Sequence, residues 1–327
     1  MIVRLFRSQY LIHYILLFIF TVVLWSDALL FPETLVTGKG FPGFETVNEW
    51  AVSFPYISIA ISILVLFFQA LMLNAIAEHH KLVERNQLVT AAIYILLMSS
   101  QPQLVQPNLM LIVNLLLILL LYKVLNFYGK TEPLSSLFDA GLLAGVVSLL
   151  FFPAWTFIGF LFFGLLTFQL FRWREWLVPL IGIITPWIFM AGYYFWFNQL
   201  QIKFWETLEK FTFRIPDISQ VSTELLVVWI LFLLIIVLGL GKILRYAGES
   251  TVDIRRKSRV VFWMLLFGMG STFFSDHDLI TQAYLEFIPM VLFVSMYVSR
   301  KKKLFLTELL FFVIFVAVVA IKILNLY

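Results

Sequence analysis

Cysteine is absent from this 327-residue chain, so disulfide bonds, thiolate metal sites, iron–sulfur clusters and cysteine nucleophiles are excluded. Charged residues are scarce as well. They make up 13% of the chain, whereas a soluble domain has about a quarter. No basic tract is interleaved with aromatic residues in a polar segment, and we therefore predict no nucleic-acid partner.

Apolar residues are abundant instead. The chain is 62% hydrophobic and 18% aromatic, with a mean hydropathy of +0.97. A soluble protein could not hide so much Leu, Ile, Val and Phe in one core without large exposed apolar patches. The composition predicts the all-α class, as a polytopic transmembrane helix bundle.

About eleven segments approach the roughly 20 apolar residues that a helix needs to cross the hydrocarbon layer. They are 10–31, 55–77, 88–104, 109–127, 137–152, 154–171, 176–198, 223–241, 260–275, 279–298 and 304–325. Pro153 separates two short ones, 137–152 and 154–171, which form either two spans or a re-entrant hairpin. The charge pattern favours two spans, and a count of nine to eleven stays open. Gly141 and Gly145 predict close helix packing inside the bundle.

The positive charges orient these segments. With the N-terminus in the cytoplasm, 18 of the 23 Lys and Arg residues fall in cytoplasmic segments and 5 fall outside. Cytoplasmic loops are enriched in Lys and Arg in this way. The count predicts that the N-terminus and the loops 78–87, 242–259 and 299–303 face the cytoplasm, and that the C-terminus faces outward.

The first segment indicates the location of the protein. Segment 10–31 is longer than the apolar region of a signal peptide, and no small-x-small cleavage site precedes the acidic loop that follows. We therefore predict an uncleaved first span and a multi-pass protein of the bacterial inner (plasma) membrane. We also predict two domains: 1–200 with about seven spans, and 201–327 with an outer amphipathic segment and about four further spans.

Two outer loops are long, 32–54 and 199–222. In the second, Phe204, Leu208 and Phe211 recur at helical spacing with charged residues between them. This pattern is typical of an amphipathic helix lying on the outer membrane surface. A solvated connector is the alternative.

Carboxylates at the predicted outer face are the candidate reactive groups. Asp27 lies near the outer end of the first segment, where a carboxylate partly within the bilayer is a functional hypothesis. Asp276, His277 and Asp278 lie between the ninth and tenth segments, on the same predicted side. Two carboxylates flanking an imidazole are suited to a divalent cation, a phosphate-bound metal or a proton. The alternative is a polar turn in which Asp278 caps the tenth segment.

Several motifs resemble the membrane core of the GT-C glycosyltransferases over about residues 1–200. The first span ends at an acidic residue, and a long outer loop and a returning helix follow. The later motifs are Ser136–Val146, Phe152-Pro153-Ala154, Arg172-Trp173-Arg174-Glu175-Trp176 and Pro186-Trp187. The whole chain also resembles a group of bacterial multi-pass inner-membrane proteins, which implies a location and no mechanism.

The GT-C resemblance implies that an acidic residue of the first outer loop is the catalytic base or a metal ligand. Asp27 is the matching position, with Glu33 as the other candidate. The resemblance also implies a polyprenyl-phosphate-linked sugar donor at the outer face. Two departures are visible: the second outer loop, 99–108, contains no acidic residue, and the chain has no large C-terminal soluble domain.

Three functions remain open from the sequence. The first is a GT-C-like transferase, in which Asp27 takes a proton from the acceptor hydroxyl and Lys203 or Arg214 holds the lipid phosphate. The second is a non-catalytic membrane subunit of an envelope assembly, with a membrane-protein partner. The third is a transporter of lipid or of another amphipathic substrate, which the scarcity of charge within the spans disfavours.

Overall fold

A computed structural model describes the greater part of the chain. The described residues are 6, 8–30, 44–100, 108–129, 133–209, 211–213, 251–274, 279–299, 308, 312, 315 and 316. Every regular element among them is helical, as the composition predicted. The α-helices are α1 (Leu11–Leu24), α2 (Ser26–Leu30), α3 (Phe44–Ser53), α4 (Pro55–His79), α5 (Val89–Met98), α6 (Leu109–Leu125), α7 (Leu134–Leu150), α8 (Thr156–Phe168), α9 (Trp173–Trp196), α10 (Leu200–Glu209), α11 (Val252–Ser271) and α12 (Leu279–Ser299).

Three of the described helices are long and apolar enough to cross a membrane. They comprise Pro55–His79, Trp173–Trp196 and, within α12, Gln282–Ser299. Shorter apolar helices coincide with five further predicted spans, namely 10–31, 88–104, 109–127, 137–152 and 154–171. Helix α11, which covers most of the predicted span 260–275, is not among these apolar helices. These helices support a membrane protein with transmembrane helices. The predicted span 223–241 lies outside the described residues, and of 304–325 only four residues are described, all helical.

Some boundaries differ from those predicted. The first segment is two helices, because the chain turns at Trp25 between α1 and α2. Helix α3 lies in the stretch 32–54, which was predicted as a loop. Helix α11 begins at Val252 rather than at 260, so the charged stretch 255–259 belongs to its first two turns. Hydropathy predicts a loop for such a charged stretch. It forms a helix nevertheless, because Lys and Arg are good helix formers and Asp253 complements the helix dipole in the first turn.

Contacts divide the chain into two compact units. Unit 1 comprises Met1–Leu111, Val221–Arg255 and Phe287–Tyr327, and unit 2 comprises Ile112–Gln220 and Arg256–Glu286. These units do not follow the predicted boundary at residue 200. The seven-span module 1–200 and the four-span addition 201–327 remain predictions about domain organisation.

In unit 1, helix α5 is enclosed on all sides. All ten of its residues are buried, as expected for a helix that is apolar all round. Its one large polar group is satisfied: the Tyr94 hydroxyl donates to Gln69 Oε1 at 2.9 Å. Gln69 Nε2 in turn donates to the carbonyl of Leu111. The buried amide therefore links α4, α5 and the start of α6.

In unit 2, helices α7 and α9 pack through glycines, as Gly141 and Gly145 predicted. A Cβ at Gly141 would collide with the backbone carbonyl of Pro179. A Cβ at Gly145 would come within 2.6 Å of the Ile183 carbonyl oxygen, and one at Gly182 within 2.5 Å of the Phe138 carbonyl oxygen. The two backbones are thus as close as glycine allows, which maximises dispersion contact where no hydrophobic effect drives association.

We expect Gly141→Ala to destabilise the protein, because the new methyl group meets backbone and not a flexible side chain. Overpacking of this kind lowers the free energy of unfolding by about 1–3 kcal/mol. The matched control is Gly192→Ala in α9, where a Cβ would have nothing within 4 Å. Thermal unfolding of the purified proteins in detergent would compare them. A Gly141→Ala protein as stable as the control would contradict the close approach of α7 and α9.

Candidate functional site

Two of the seven predicted site residues lie in the described part of the chain. Asp27 belongs to unit 1 and Lys203 to unit 2. Glu33, Arg214, Asp276, His277 and Asp278 lie outside the described residues. The predicted gathering of Asp27, Glu33 and the turn 275–278 around one cavity therefore stays a prediction.

Asp27 is positioned by the residues on either side of it. It lies in the short helix α2, which begins directly after the chain turns at Trp25. Trp25 is completely buried and Ala28 is 6% exposed, whereas Asp27 itself is half-buried. The two buried neighbours fix α2 against the rest of unit 1, and the Asp27 carboxylate lies at the edge of this packed region.

A hydrogen bond holds the turn before Asp27. The indole N–H of Trp25 donates to the hydroxyl of Ser99 at 3.1 Å, and both residues are buried. Ser99 in turn donates to the carbonyl of Ile95 at 2.7 Å, which fixes its hydroxyl at the end of α5. Ser99, the first residue of the stretch 99–108 that has no acidic residue, thus provides a polar support for the turn before Asp27.

Lys203 already has an anionic partner. Its ammonium group lies 2.7 Å from Glu206 Oε2, one turn later on the exposed helix α10. This hydrogen bond raises the pKa of Lys203 above its ordinary value. The pair is more than a third exposed, so it is a weak surface interaction. A lipid phosphate at Lys203 would have to compete with the carboxylate of Glu206.

Helix α10 confirms the predicted helical pattern of the second long loop. None of its residues is buried. Large apolar side chains remain exposed along it and just after it: Ile202, Phe204, Trp205, Leu208, Phe211 and Phe213. The orientation of this helix on a membrane surface stays a prediction.

The sequence reasoning missed two polar residues in α12. Gln282 is 1% exposed, and within the described part of the chain neither its amide oxygen nor its amide nitrogen has a hydrogen-bond partner. Glu286 follows one turn later and makes no hydrogen bond or ion pair with any residue in the described ranges. The signal that would have identified Glu286 in the sequence is a carboxylate inside an apolar span, since such groups mark functional sites by default.

Close packing surrounds Glu286. A Cβ at Gly268 of α11 would lie 3.5 Å from Glu286 Cγ and 3.4 Å from the Leu285 carbonyl oxygen. Glycine at 268 therefore lets α11 approach the helix beside the carboxylate. Gln282 and Glu286 have a spacing of four residues, so both side chains lie on one face of α12.

The described residues do not assemble a metal site from His and carboxylate ligands alone. No group of three or more His, Asp or Glu side chains comes together within them in the way that a metal ion requires. The turn with Asp276, His277 and Asp278 lies outside them. A divalent-cation site at this turn stays a prediction.

Comparison with other proteins does not assign the chain to a family. No protein-family model matches it, and no curated protein or solved structure matches it either. The likeness to the GT-C glycosyltransferases stays a prediction from the sequence.

Proposed function

We propose that the chain is a multi-pass protein of the bacterial inner membrane with eleven spans, its N-terminus in the cytoplasm and its C-terminus outside. The support is that polar and aromatic contacts within each unit join chain segments that the charge pattern places on the same side. Such contacts would be split across the membrane if the alternation of the spans were wrong.

Unit 1 supplies contacts at the cytoplasmic side. Glu78 Oε1 accepts hydrogen bonds from Gln9 Nε2 at 2.6 Å and from the backbone N–H of Gln87 at 2.9 Å. The backbone N–H of Glu84 donates to the Ser299 hydroxyl at 2.7 Å. These bonds link the N-terminal segment, the loop 78–87 and the end of α12, all of which the charge pattern assigns to the cytoplasm.

Unit 2 supplies contacts at the outer side. The Trp155 ring lies 5.5 Å from the Phe211 ring and 5.1 Å from the Phe274 ring. The Phe213 ring stacks on Phe273 at 5.3 Å. The turn after α7, the segment after α10 and the end of α11 therefore meet, and all three are outer segments in the proposed topology.

Helix α9 has the features of a span that faces lipid. Only 17% of its most apolar stretch is buried. Exposed Trp173 lies at its basic end beside Arg172 and Arg174, and exposed Trp196 lies at the other end. Aromatic residues at both ends are typical of the two membrane–water interfaces, and Arg at one end is typical of the cytoplasmic side.

We expect cysteine labelling to verify the sidedness, since the chain has no native cysteine. Arg85 and Gln201 are both exposed, on opposite predicted sides. In intact cells an impermeant maleimide should label Gln201→Cys and should not label Arg85→Cys until the membrane is permeabilised. Labelling of Arg85→Cys in intact cells, with protection of Gln201→Cys, would overturn the topology.

The activity that we propose is a GT-C-like transfer of a sugar from a polyprenyl-phosphate donor at the outer face. The observation that carries it is the half-buried Asp27 carboxylate, held at the predicted outer end of the first span by Trp25 and Ser99. A carboxylate in a fixed position at a membrane interface is suited to general-base catalysis.

The proposed step balances as a substitution at the anomeric carbon. The acceptor hydroxyl oxygen forms a bond to that carbon while the bond from carbon to the phosphate oxygen breaks. The hydroxyl proton moves to Asp27, and the bonding electrons leave with the polyprenyl phosphate.

A second candidate function is transport of an amphipathic substrate. Gln282 and Glu286 favour it, because they place hydrogen-bonding groups without described partners inside a membrane-spanning helix. The third hypothesis, a non-catalytic subunit, is favoured by the Lys203–Glu206 pair, which occupies one proposed phosphate ligand. Variants of Asp27 and Glu286 separate these functions.

We expect Asp27→Asn to lower transferase activity by about a hundredfold or more, because the amide keeps the shape and cannot accept the proton. The measurement is sugar transfer from a labelled polyprenyl-phosphate donor in proteoliposomes, together with complementation of a deletion strain. Ser26→Ala is the control, since exposed Ser26 shares the helix and its hydroxyl donates to the Val23 carbonyl three residues earlier.

The remaining outcomes decide between the alternatives. Full complementation by both Asp27→Asn and Asp276→Asn would eliminate the catalytic hypothesis. If Glu286→Gln then abolished complementation at normal expression, transport would replace sugar transfer as the proposed function. If Glu286→Gln also complemented, the non-catalytic subunit would remain.

A further inference from the structure

A group of oxygen atoms in unit 1 is arranged around Gln87, which lies just before α5. The backbone N–H of Gln87 donates to Glu78 Oε1 at 2.9 Å, and its amide Nε2 donates to Glu84 Oε2 at 3.1 Å. The carbonyl oxygen of Gln87 accepts from Asn74 Nδ2 at 2.8 Å and from Gln9 Nε2 at 3.2 Å. We call Asn74, Glu78, Glu84 and Gln87 the oxygen cluster.

Two amide oxygens of the oxygen cluster are buried. Asn74 is 3% exposed and Gln87 is 7% exposed, and within the described part of the chain neither Asn74 Oδ1 nor Gln87 Oε1 has a hydrogen-bond partner. The bonds made by the two amide nitrogens fix the direction of these oxygens. If either amide were flipped, its oxygen would face the Gln87 carbonyl or the Glu84 carboxylate, and two acceptors would meet.

The oxygen cluster also carries two negative charges. Glu78 is part-buried and Glu84 is exposed. Neither carboxylate forms an ion pair in the described part of the chain, although Lys81 and Arg85 belong to the same loop. The hydrogen bonds that the two carboxylates accept come from amide groups, which carry no charge. Two anionic groups therefore lie beside the two buried amide oxygens.

These groups identify the class of ligand. Carboxylate oxygens and amide oxygens only accept hydrogen bonds, so a ligand that satisfies them must supply positive charge. Hard divalent cations prefer such oxygen ligands, and Mg²⁺ typically binds one or two carboxylates and retains several waters. Glu78 also lies in the last turn of α4, where the negative end of the helix dipole favours a cation.

We propose that the oxygen cluster binds a divalent cation of the Mg²⁺ class. Glu78 and Glu84 balance its charge. The side-chain oxygens of Asn74 and Gln87 are its neutral ligands. Because only two of these ligands are carboxylates, the site differs from a group of three His, Asp or Glu side chains. The cation would tie the N-terminal segment to the end of α4 and, through the bond from the Glu84 N–H to Ser299, to the end of α12.

The test is a titration of the purified full-length chain in detergent with Mn²⁺, which prefers the same oxygen ligands as Mg²⁺. The electron paramagnetic resonance signal of free Mn²⁺ gives the affinity and the number of ions bound. Mg²⁺ should displace the ion bound at the oxygen cluster, and an equal concentration of Na⁺ should not. Glu84→Gln keeps the size of the side chain and removes one charge. It should weaken this binding about tenfold or more, since even the loss of an outer partner of a metal site has an effect of that size.

Three further variants isolate the oxygen cluster. Glu49→Gln removes the same charge from an exposed carboxylate of α3 and should leave the affinity unchanged. Asp276→Asn/Asp278→Asn removes the cation site predicted from the sequence and should leave the ion that depends on Glu84 in place. Asn74→Ala keeps every charge and removes one neutral ligand, so its weaker binding would separate coordination from general attraction to carboxylates.

Several results would overturn the proposal. An affinity of Glu84→Gln equal to that of the wild type, or an equal loss in Glu49→Gln, would mean that the oxygen cluster is not a specific site. Displacement of Mn²⁺ by an equal concentration of Na⁺ would make the ligand a monovalent cation. If Glu84→Gln elutes as an aggregate in size-exclusion chromatography, Asn74→Ala replaces it, with the same weakening expected. Binding in detergent does not depend on orientation, so the result is independent of the topology.

Discussion

Hydrocarbon offers no hydrogen bonds, so a polar side chain within these helices costs free energy unless it finds a partner inside the protein. Tyr94 meets this requirement through Gln69, Trp25 through Ser99, and Trp187 through the Ser148 hydroxyl at 3.0 Å. The Tyr94 and Trp187 bonds each join two different helices, and the Trp25 bond joins the turn before α2 to the end of α5. The requirement therefore also selects which segments are neighbours. Side-chain polarity in the spans thus specifies packing as strongly as apolar shape does.

Helices α7 and α9 show how backbone polarity enters the same balance. Pro179 and Pro186 lie within α9 and remove two backbone donors from its interior. The glycines of α7 approach α9 at Pro179 and at Ile183, next to these interruptions. The part of α9 that carries these prolines is therefore covered by another helix. The close packing of the α7 glycines thus lies where the prolines have removed backbone donors from α9.

The helical class and most of the described spans could be predicted from the sequence, because long apolar runs have one stable form in a membrane. Properties that depend on single residues could not be predicted in this way. One carboxylate changes the mean hydropathy of a whole span only slightly, so hydropathy did not single out Glu286. The same averaging assigned 255–259 to a loop, although those residues form turns of α11. For the site, sequence indicated Asp27 and not the Trp25–Ser99 bond that positions it, because that bond joins residues 74 positions apart.

The position of Asp27 depends on its neighbours and not on its own helix. A helix of five residues is not stable alone, because nucleation fixes several dihedral angles for each hydrogen bond gained. Burial of Trp25 and Ala28 must therefore supply the energy that orders α2. It follows that the position of the carboxylate depends on the contact between Trp25 and Ser99. A substitution that removes the indole N–H of Trp25 would shift Asp27 while keeping its carboxylate. Such a variant would show whether the proposed base must be held in this position or must only be present.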